Sequence, residues 1–170
     1  MANWLNLKKL EDWEFPMFQG FQYDHIEDAT IASALADFEN LAQVDPLLDW
    51  EDDHWLSENQ NILDEHKHAY RVAALVHQFQ HGHPMQHGIS LDTFLANKCC
   101  SCIPNGHHRI RALQFLGVNI VPFELGGPVK PLEQLLQLAG EPNPSPETQK
   151  YFSQKLLTQS LDDKPLRSRG

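Results

Sequence analysis

Several things are scarce in this chain of 170 residues, and each scarcity narrows the field. No apolar run approaches the length of a membrane span, so a bilayer-embedded fold is not expected. The first ten residues mix charge with apolar groups and lack a signal-peptide core, which points to a cytoplasmic location. Cysteine is rare, with three in all, and Cys99, Cys100 and Cys102 sit together. An odd, tight cluster makes a poor disulfide framework and suits a reducing compartment. Basic residues are outnumbered, 13 Lys and Arg against 23 Asp and Glu, for a net charge of −10. Nucleic-acid binding depends on neutralising phosphates with cations, so that broad footprint is missing. A small anion in one locally positive pocket is easier to reconcile with an acidic protein. Internal repeats and low-complexity tracts are absent.

What is present reads as a mixture of helices and short strands around one core. Residues 1–26 are rich in aromatics without a clean period, and an irregular wrap is expected. Asp28 reads as a helix N-cap, followed by Ile31, Leu35, Phe38 and Leu41 at helical spacing, ending before Pro46. Residues 45–60 read as an acidic loop anchored by Trp50 and Trp55. Glu51, Asp52 and Asp53 belong to its solvated face rather than to a metal site. Ala69, Val72, Val76 and Phe79 mark a helix over roughly 66–80. Ile89 and Leu91 suggest one strand, 99–104 a second, and Val118–Leu125 a third. Pro122 argues for an edge position in that third strand. Gly126-Gly127-Pro128 breaks the chain before a short helix around 132–138. Ser145-Pro146-Glu147 starts a last helix, continued through Tyr151, Phe152, Lys155 and Leu156, before a frayed tail from Asp162.

The most informative stretch is Ser101 to Ala112. It reads as a buried strand, an Asn105-Gly106 turn and a helix whose first turn carries His107, His108 and Arg109. That helix buries Ile110, Leu113 and Leu116 and is capped by Gly117. Free N–H groups and the positive end of the dipole meet at its start. A guanidinium there can grip phosphate bidentately. The alternative is a polar helix start that only satisfies its own backbone. Desolvation alone would drive a buried histidine neutral, whereas a phosphate neighbour would keep it charged. Arg111 is placed on an exposed or inter-helix face.

Ten histidines and Cys99-x-x-Cys102 raise the question of zinc. His77 and His81 share a helix face, and His83 and His87 follow. Structural zinc takes paired motifs, only one Cys-x-x-Cys exists, and on a strand Cys99 and Cys102 face opposite sides. The cysteines therefore read as small buried hydrophobes, and no metal site is assigned.

The run from about Leu63 to Leu125 resembles the ParB/sulfiredoxin-like nucleotide-binding fold. The pieces occur in that family's order: Phe79-Gln80-His81-Gly82, Pro84-Met85-Gln86, Gly88-Ile89-Ser90-Leu91, Asn105-Gly106-His107-His108-Arg109, Leu116-Gly117 and Val121-Pro122. Partition proteins of the family look like Gly-Glu-Arg-Arg at the helix start. Sulfiredoxins look like Gly-Gly-Cys-His-Arg, and His107 stands where their nucleophilic cysteine would be. Free serine kinases look like Asp-Gly-His-His-Arg and are the most similar branch. Their catalytic Glu upstream of the first long helix has a counterpart in Glu65. The departure is Asn105 for Asp, which keeps the shape and loses the base and the stronger Mg²⁺ ligand.

The expected architecture is therefore α/β (α+β): a small ParB/sulfiredoxin-like mixed sheet with packed helices. Residues 61–127 would form the nucleotide-binding core. Residues 1–60 would be an irregular and helical N-terminal extension, and 128–170 a helical C-terminal one. The resemblance implies ATP or ADP with Mg²⁺ as cofactor and a small hydroxyl compound such as free serine as substrate. Gly82, Gln86, Gly106, His107, His108 and Arg109 would bind the nucleotide. Glu65 would be the general base, with Asn105 and His107 as catalytic partners. Glu65 read by itself is equally an acidic residue favoured by a helix dipole, and Gly82 a helix terminator. Two other functions stay open: a nucleotide-binding regulator acting on a protein partner, and a ParB-like DNA-binding or nuclease protein. Against the last stand the charge and the lack of a clear helix-turn-helix.

Overall fold

A computed structural model describes residues 3–13, 20–40, 51, 66–93 and 102–161. Their elements run β1 (Trp4–Asn6), α1 (Leu7–Leu10), α2 (Asp28–Asn40), α3 (Lys67–Gln80), β2 (Ile89–Asp92), α4 (His107–Phe115), β3 (Ile120–Gly126), α5 (Val129–Ala139), α6 (Pro146–Gln149) and α7 (Gln154–Leu161). This is a mixed α/β protein with one small mixed sheet. None of the described helices is long and apolar enough to cross a membrane. The expectations for Phe15, Phe18, Leu41, Pro46, Trp50, Asp52, Asp53, Trp55, Cys99, Cys100 and the tail from Asp162 fall outside the described residues. The chain divides into two compact units. One holds residues 1–20, 86–106 and 118–170; the other holds 21–85 and 107–117.

The first unit is built on the sheet, in the order β1-β3-β2. β1 runs antiparallel to β3, with Leu5 opposite Val121, and β2 runs parallel to it, with Ile89 opposite Phe123. In β2, buried Ile89 and Leu91 alternate with half-buried Ser90 and Asp92, the period-two pattern of a one-sided strand. Trp4 and Leu5 are fully buried, and the Trp4 ring meets Phe152 edge to face, 5.3 Å between centroids. Residues 4–10 thus form a strand and a short helix rather than an irregular wrap. Asn6 ends the strand and caps α1, its side-chain oxygen accepting from the N–H groups of Lys8 and Lys9.

Pro122 does not lie at an edge; β3 is the central strand. The Phe123 N–H donates to the Asn3 carbonyl, and Leu7 N–H to Asn119. Pro122 therefore faces Trp4 at a position of the β1 ladder where no bond is exchanged. Its missing N–H would point toward β2, but that ladder starts one residue later, at Phe123. The proline costs the sheet no hydrogen bond.

Residues 102–104 are not a strand either. Cys102 and Ile103 are buried bends, and the Cys102 carbonyl accepts from the Asp92 N–H at 2.8 Å. Burial pushes the Cys102 thiol up, which keeps it protonated. After β3, Gly127 turns the chain at φ +109°, and a Cβ there would overlap the Thr93 hydroxyl. α5 is longer than the sequence indicates and buries Leu132, Leu135 and Ala139. Ser145 caps α6 as expected, accepting from Thr148 N–H. That helix stops at Gln149, however. Ser153 begins α7 afresh, its hydroxyl accepting from Leu156 N–H.

The second unit is helical. α3 packs against both α2 and α4. The expected stripe of Ala69, Val72, Val76 and Phe79 is buried, together with Leu75. α3 ends in a Schellman turn: Gly82 takes φ +81° and the His83 N–H returns to the Gln78 carbonyl. α4 buries Ile110 and Leu113 and stops at Gly117, φ +77°. Asp28 opens α2 from inside its first turn; the Glu27 carbonyl accepts the first helical bonds, from Thr30 and Ile31. The Asp28 carboxylate instead accepts from Arg111 at 2.6 Å, and the same guanidinium donates twice to the Ile26 carbonyl. Arg111 is buried and ties α4 to the start of α2, the inter-helix position.

Candidate functional site

α4 begins at His107, directly after Gly106, whose φ of +109° is a conformation that side chains oppose. Three consecutive polar residues then enter the helical unit in different ways. His107 is buried, and its Nδ1 accepts from the Gln22 backbone N–H at 3.1 Å. Arg109 is buried beside an equally buried carboxylate, its Nη1 lying 3.5 Å from Glu51 Oε1. That separation exceeds the ~2.7–2.9 Å of a tight charge-assisted bond. Glu51 is therefore no solvated loop acid: its side chain is 3% exposed.

His108, between them, is the centre of the cluster. Its ring stacks on Tyr23 with centroids 4.0 Å apart and on His68 at 5.1 Å. Its Nε2 lies 2.9 Å from His68 Nδ1, and its Nδ1 lies 3.4 Å from Arg71 Nη1. Arg71 also donates to the Glu51 carbonyl. Burial first, then the charges of Arg71, His68, His107 and Arg109, push the His108 pKa down to about 2. Burial, then Lys67, Arg71 and His25, lower His68 as well. Burial raises the Tyr23 hydroxyl, a little offset by Arg71. At neutral pH the imidazole of His108 is uncharged.

The residues singled out in the sequence are distributed unevenly. His107, His108 and Arg109 share the first turn of α4 and belong to the helical unit. Gly82 also belongs there, exposed at the end of α3. Exposed Gln86, exposed Asn105 and buried Gly106 are assigned to the sheet unit. Glu65 lies outside the described residues. Sequence reading missed Gln22, Tyr23, His68, Arg71 and the inward role of Glu51. One signal existed for two of them. His68, Arg71 and Leu75 are spaced as a ridge of α3 next to its apolar stripe, so a cation on that ridge had to find a buried partner.

Among the described residues, no group of three or more His, Cys, Asp or Glu side chains gathers as a metal site. A nucleotide carries Mg²⁺ largely on its own phosphates, with few protein ligands, so a nucleotide site would call for cationic charge and N–H donors rather than for such a group. Comparison with protein-family models, curated proteins and solved structures finds no match to this chain.

Proposed function

We propose that this chain binds a nucleotide, ATP or ADP with Mg²⁺, through its phosphates at the first turn of α4, in a fold of the ParB/sulfiredoxin-like class. One observation carries the reading. Among the described residues, the permanent charges that shift His108 are the cations Arg71 and Arg109, at the N-terminus of a nine-residue helix in a protein of net charge −10. The helix dipole adds to that local positive potential. Arg109 would exchange its long contact with Glu51 for a phosphate oxygen. His107 and His108 would serve through their backbone N–H groups. Gly106 lets the chain enter the helix without a side chain in the way. Phosphate transfer to a small alcohol such as free serine would need Glu65 as the base; such transfer depends mainly on positioning and charge stabilisation.

Calorimetric titration with ATP and with ADP, with and without Mg²⁺, tests the binding. The native chain should bind, and Arg109→Ala should weaken binding about ten- to a hundredfold, the worth of one charged hydrogen-bonding partner. A folded native chain that takes neither nucleotide sinks the proposal. Phosphorylation of free serine by either nucleotide tests the transfer. Asn105 favours a second reading, a non-catalytic nucleotide-binding regulator acting on a protein partner, because its carboxamide cannot act as a base. Nucleotide binding without turnover, with phosphotransfer appearing in Asn105→Asp, would select that reading.

A further inference from the structure

The last turn of α3 and its cap carry two histidines one turn apart, His77 and His81. Residues at that spacing lie one above the other on the same face of a helix. The two rings stack, with centroids 4.1 Å apart and planes 22° from parallel. His81 is exposed and His77 half-buried. The His81 ring is also held by the backbone, its Nδ1 lying 2.7 Å from the His77 carbonyl. A carbonyl only accepts, so Nδ1 carries a proton and donates it. In the neutral imidazole Nε2 is then bare. A ring that gives one N–H to a backbone carbonyl and offers its other nitrogen is in the usual state of a metal-ligating histidine. The carbonyl fixes both the tautomer and the orientation of the ring. The place suits a cation as well. The dipole of α3 puts partial negative charge at its C-terminal end, in a chain of net charge −10.

We infer that His77 and His81 form a binding site for a divalent transition metal that prefers imidazole, Cu²⁺, Ni²⁺ or Zn²⁺, with water completing the coordination. The site lies at the end of α3 and does not depend on the nucleotide reading. The same spacing on a helix is used by the H-E-x-x-H motif, where both histidines meet one zinc. A closed structural zinc centre needs four protein ligands. Among the described residues, no group of three or more such side chains gathers, so the site is an open one. A metal lies in the plane of each imidazole that binds it, and two stacked rings do not share a plane. The adjustment falls to His77, because the carbonyl bond pins His81. Rotation about the His77 Cβ–Cγ bond supplies it, a torsion with broad minima. Imidazole also discriminates: Mg²⁺ and Ca²⁺ take oxygen ligands and are not held by this pair.

The test uses the untagged full chain, titrated with nickel chloride at about pH 7.5, where metal-binding imidazoles are deprotonated. Before metal is added, imidazole ¹H–¹⁵N correlation spectra should show the Nδ1–H pattern on His81. Ni²⁺ is paramagnetic and should broaden the His77 and His81 rings before any other histidine. Mg²⁺ should leave both rings unmoved. By calorimetry, His77→Ala and His81→Ala should each weaken Ni²⁺ binding about tenfold or more. His83→Ala and His87→Ala, which remove the next histidines along the chain, should stay within about threefold of the native chain. Neither His77 nor His81 belongs to the buried face of α3, so the variants should keep the native circular dichroism spectrum. Should one fail to fold, the order of broadening in the native chain decides the matter. Three results overturn the inference: Ni²⁺ affinity that survives the loss of either histidine, other imidazoles broadening first, or a folded native chain that takes up neither Ni²⁺ nor Cu²⁺. An Nε2–H pattern on metal-free His81 overturns it too, because the ring would not be pinned as a ligand.

Discussion

The sheet unit and the helical unit solve the problem of a buried interior with different residues. Around β1, β2 and β3 the fully buried side chains include Trp4, Leu5, Leu7, Leu10, Ile89, Leu91 and Val121. Around α2, α3 and α4, Arg71, His107, Arg109 and Arg111 are buried among Val72, Val76 and Ile110. Apolar burial is non-directional and roughly proportional to area, so the first interior tolerates any partner of the right shape. Buried charge is tolerated only where donors and acceptors are aimed at it. The second interior is accordingly wired: Gln22 to His107, Arg71 to His108 to His68, Arg109 to Glu51, Arg111 to Ile26 and Asp28. A domain maintains such a network at a cost in stability. That contrast is why the chemistry is sought in the helical unit.

The largest effect should come from the apolar interior. Trp4→Ala removes the biggest fully buried side chain of β1, together with its edge contact to Phe152. The expected loss is about 3–5 kcal/mol, followed by far-ultraviolet circular dichroism in urea. A loss below about 1 kcal/mol would mean that Trp4 is not part of the core, and the comparison between the units would collapse.

The wired interior should respond to acid instead. His108 has a folded pKa of about 2, while an unfolded histidine titrates near ~6.5. The sign follows from proton counting. Below that value the unfolded chain takes up a proton that the folded chain refuses, so stability is intact above it and falls as pH drops. The slope is about 1.4 kcal/mol per pH unit, or about 2 kcal/mol between ~6.5 and ~5. His68, lowered in the same direction, adds to it. Unfolding free energies measured across that interval should show the slope in the native chain and a shallower one, by about one proton, in His108→Asn. Equal slopes would mean that His108 is charged in the folded protein.

The two units were also unequally legible in the sequence. Local signals were read correctly wherever a local cause sufficed: the apolar stripe of α3, the alternation of β2, the left-handed glycines after α3 and α4, the Ser145 cap. Pairing over long sequence distances was not. β1 is three residues long and owes its existence to β3, more than a hundred positions away, so Trp4 to Asn6 show no period of their own. Pro122 was misplaced for the same reason, since only the register of both neighbours shows that its missing N–H falls outside the ladders. At the site, His107-His108-Arg109 stood out because the Asn105-Gly106 turn frames them. Tyr23, His68, Arg71 and Glu51 did not, because each is defined by what it touches from another segment. Glu51 in particular sits in an acidic run whose composition suggests solvent, and only the guanidinium of Arg109 explains its burial.

Gly82 gives the smallest effect and the sharpest separation between the readings of one residue. Two roles fit it: lining a nucleotide pocket, or ending α3. The second has a visible mechanism, φ +81° and the return of the His83 N–H to Gln78. A Cβ at Gly82 would meet nothing within 4 Å, so steric overlap does not enter. The cost of Gly82→Ala is then purely that of a left-handed backbone, about 1 kcal/mol. Gly82→Asn, a residue that accepts this conformation more readily, should recover part of it. If ending the helix is the whole role, both variants bind ATP and ADP as the native chain does, and only their urea midpoints shift. If affinity falls about tenfold in Gly82→Ala while the midpoint is unchanged, the glycine serves the ligand through its bare Cα, and the site extends from α4 to the end of α3.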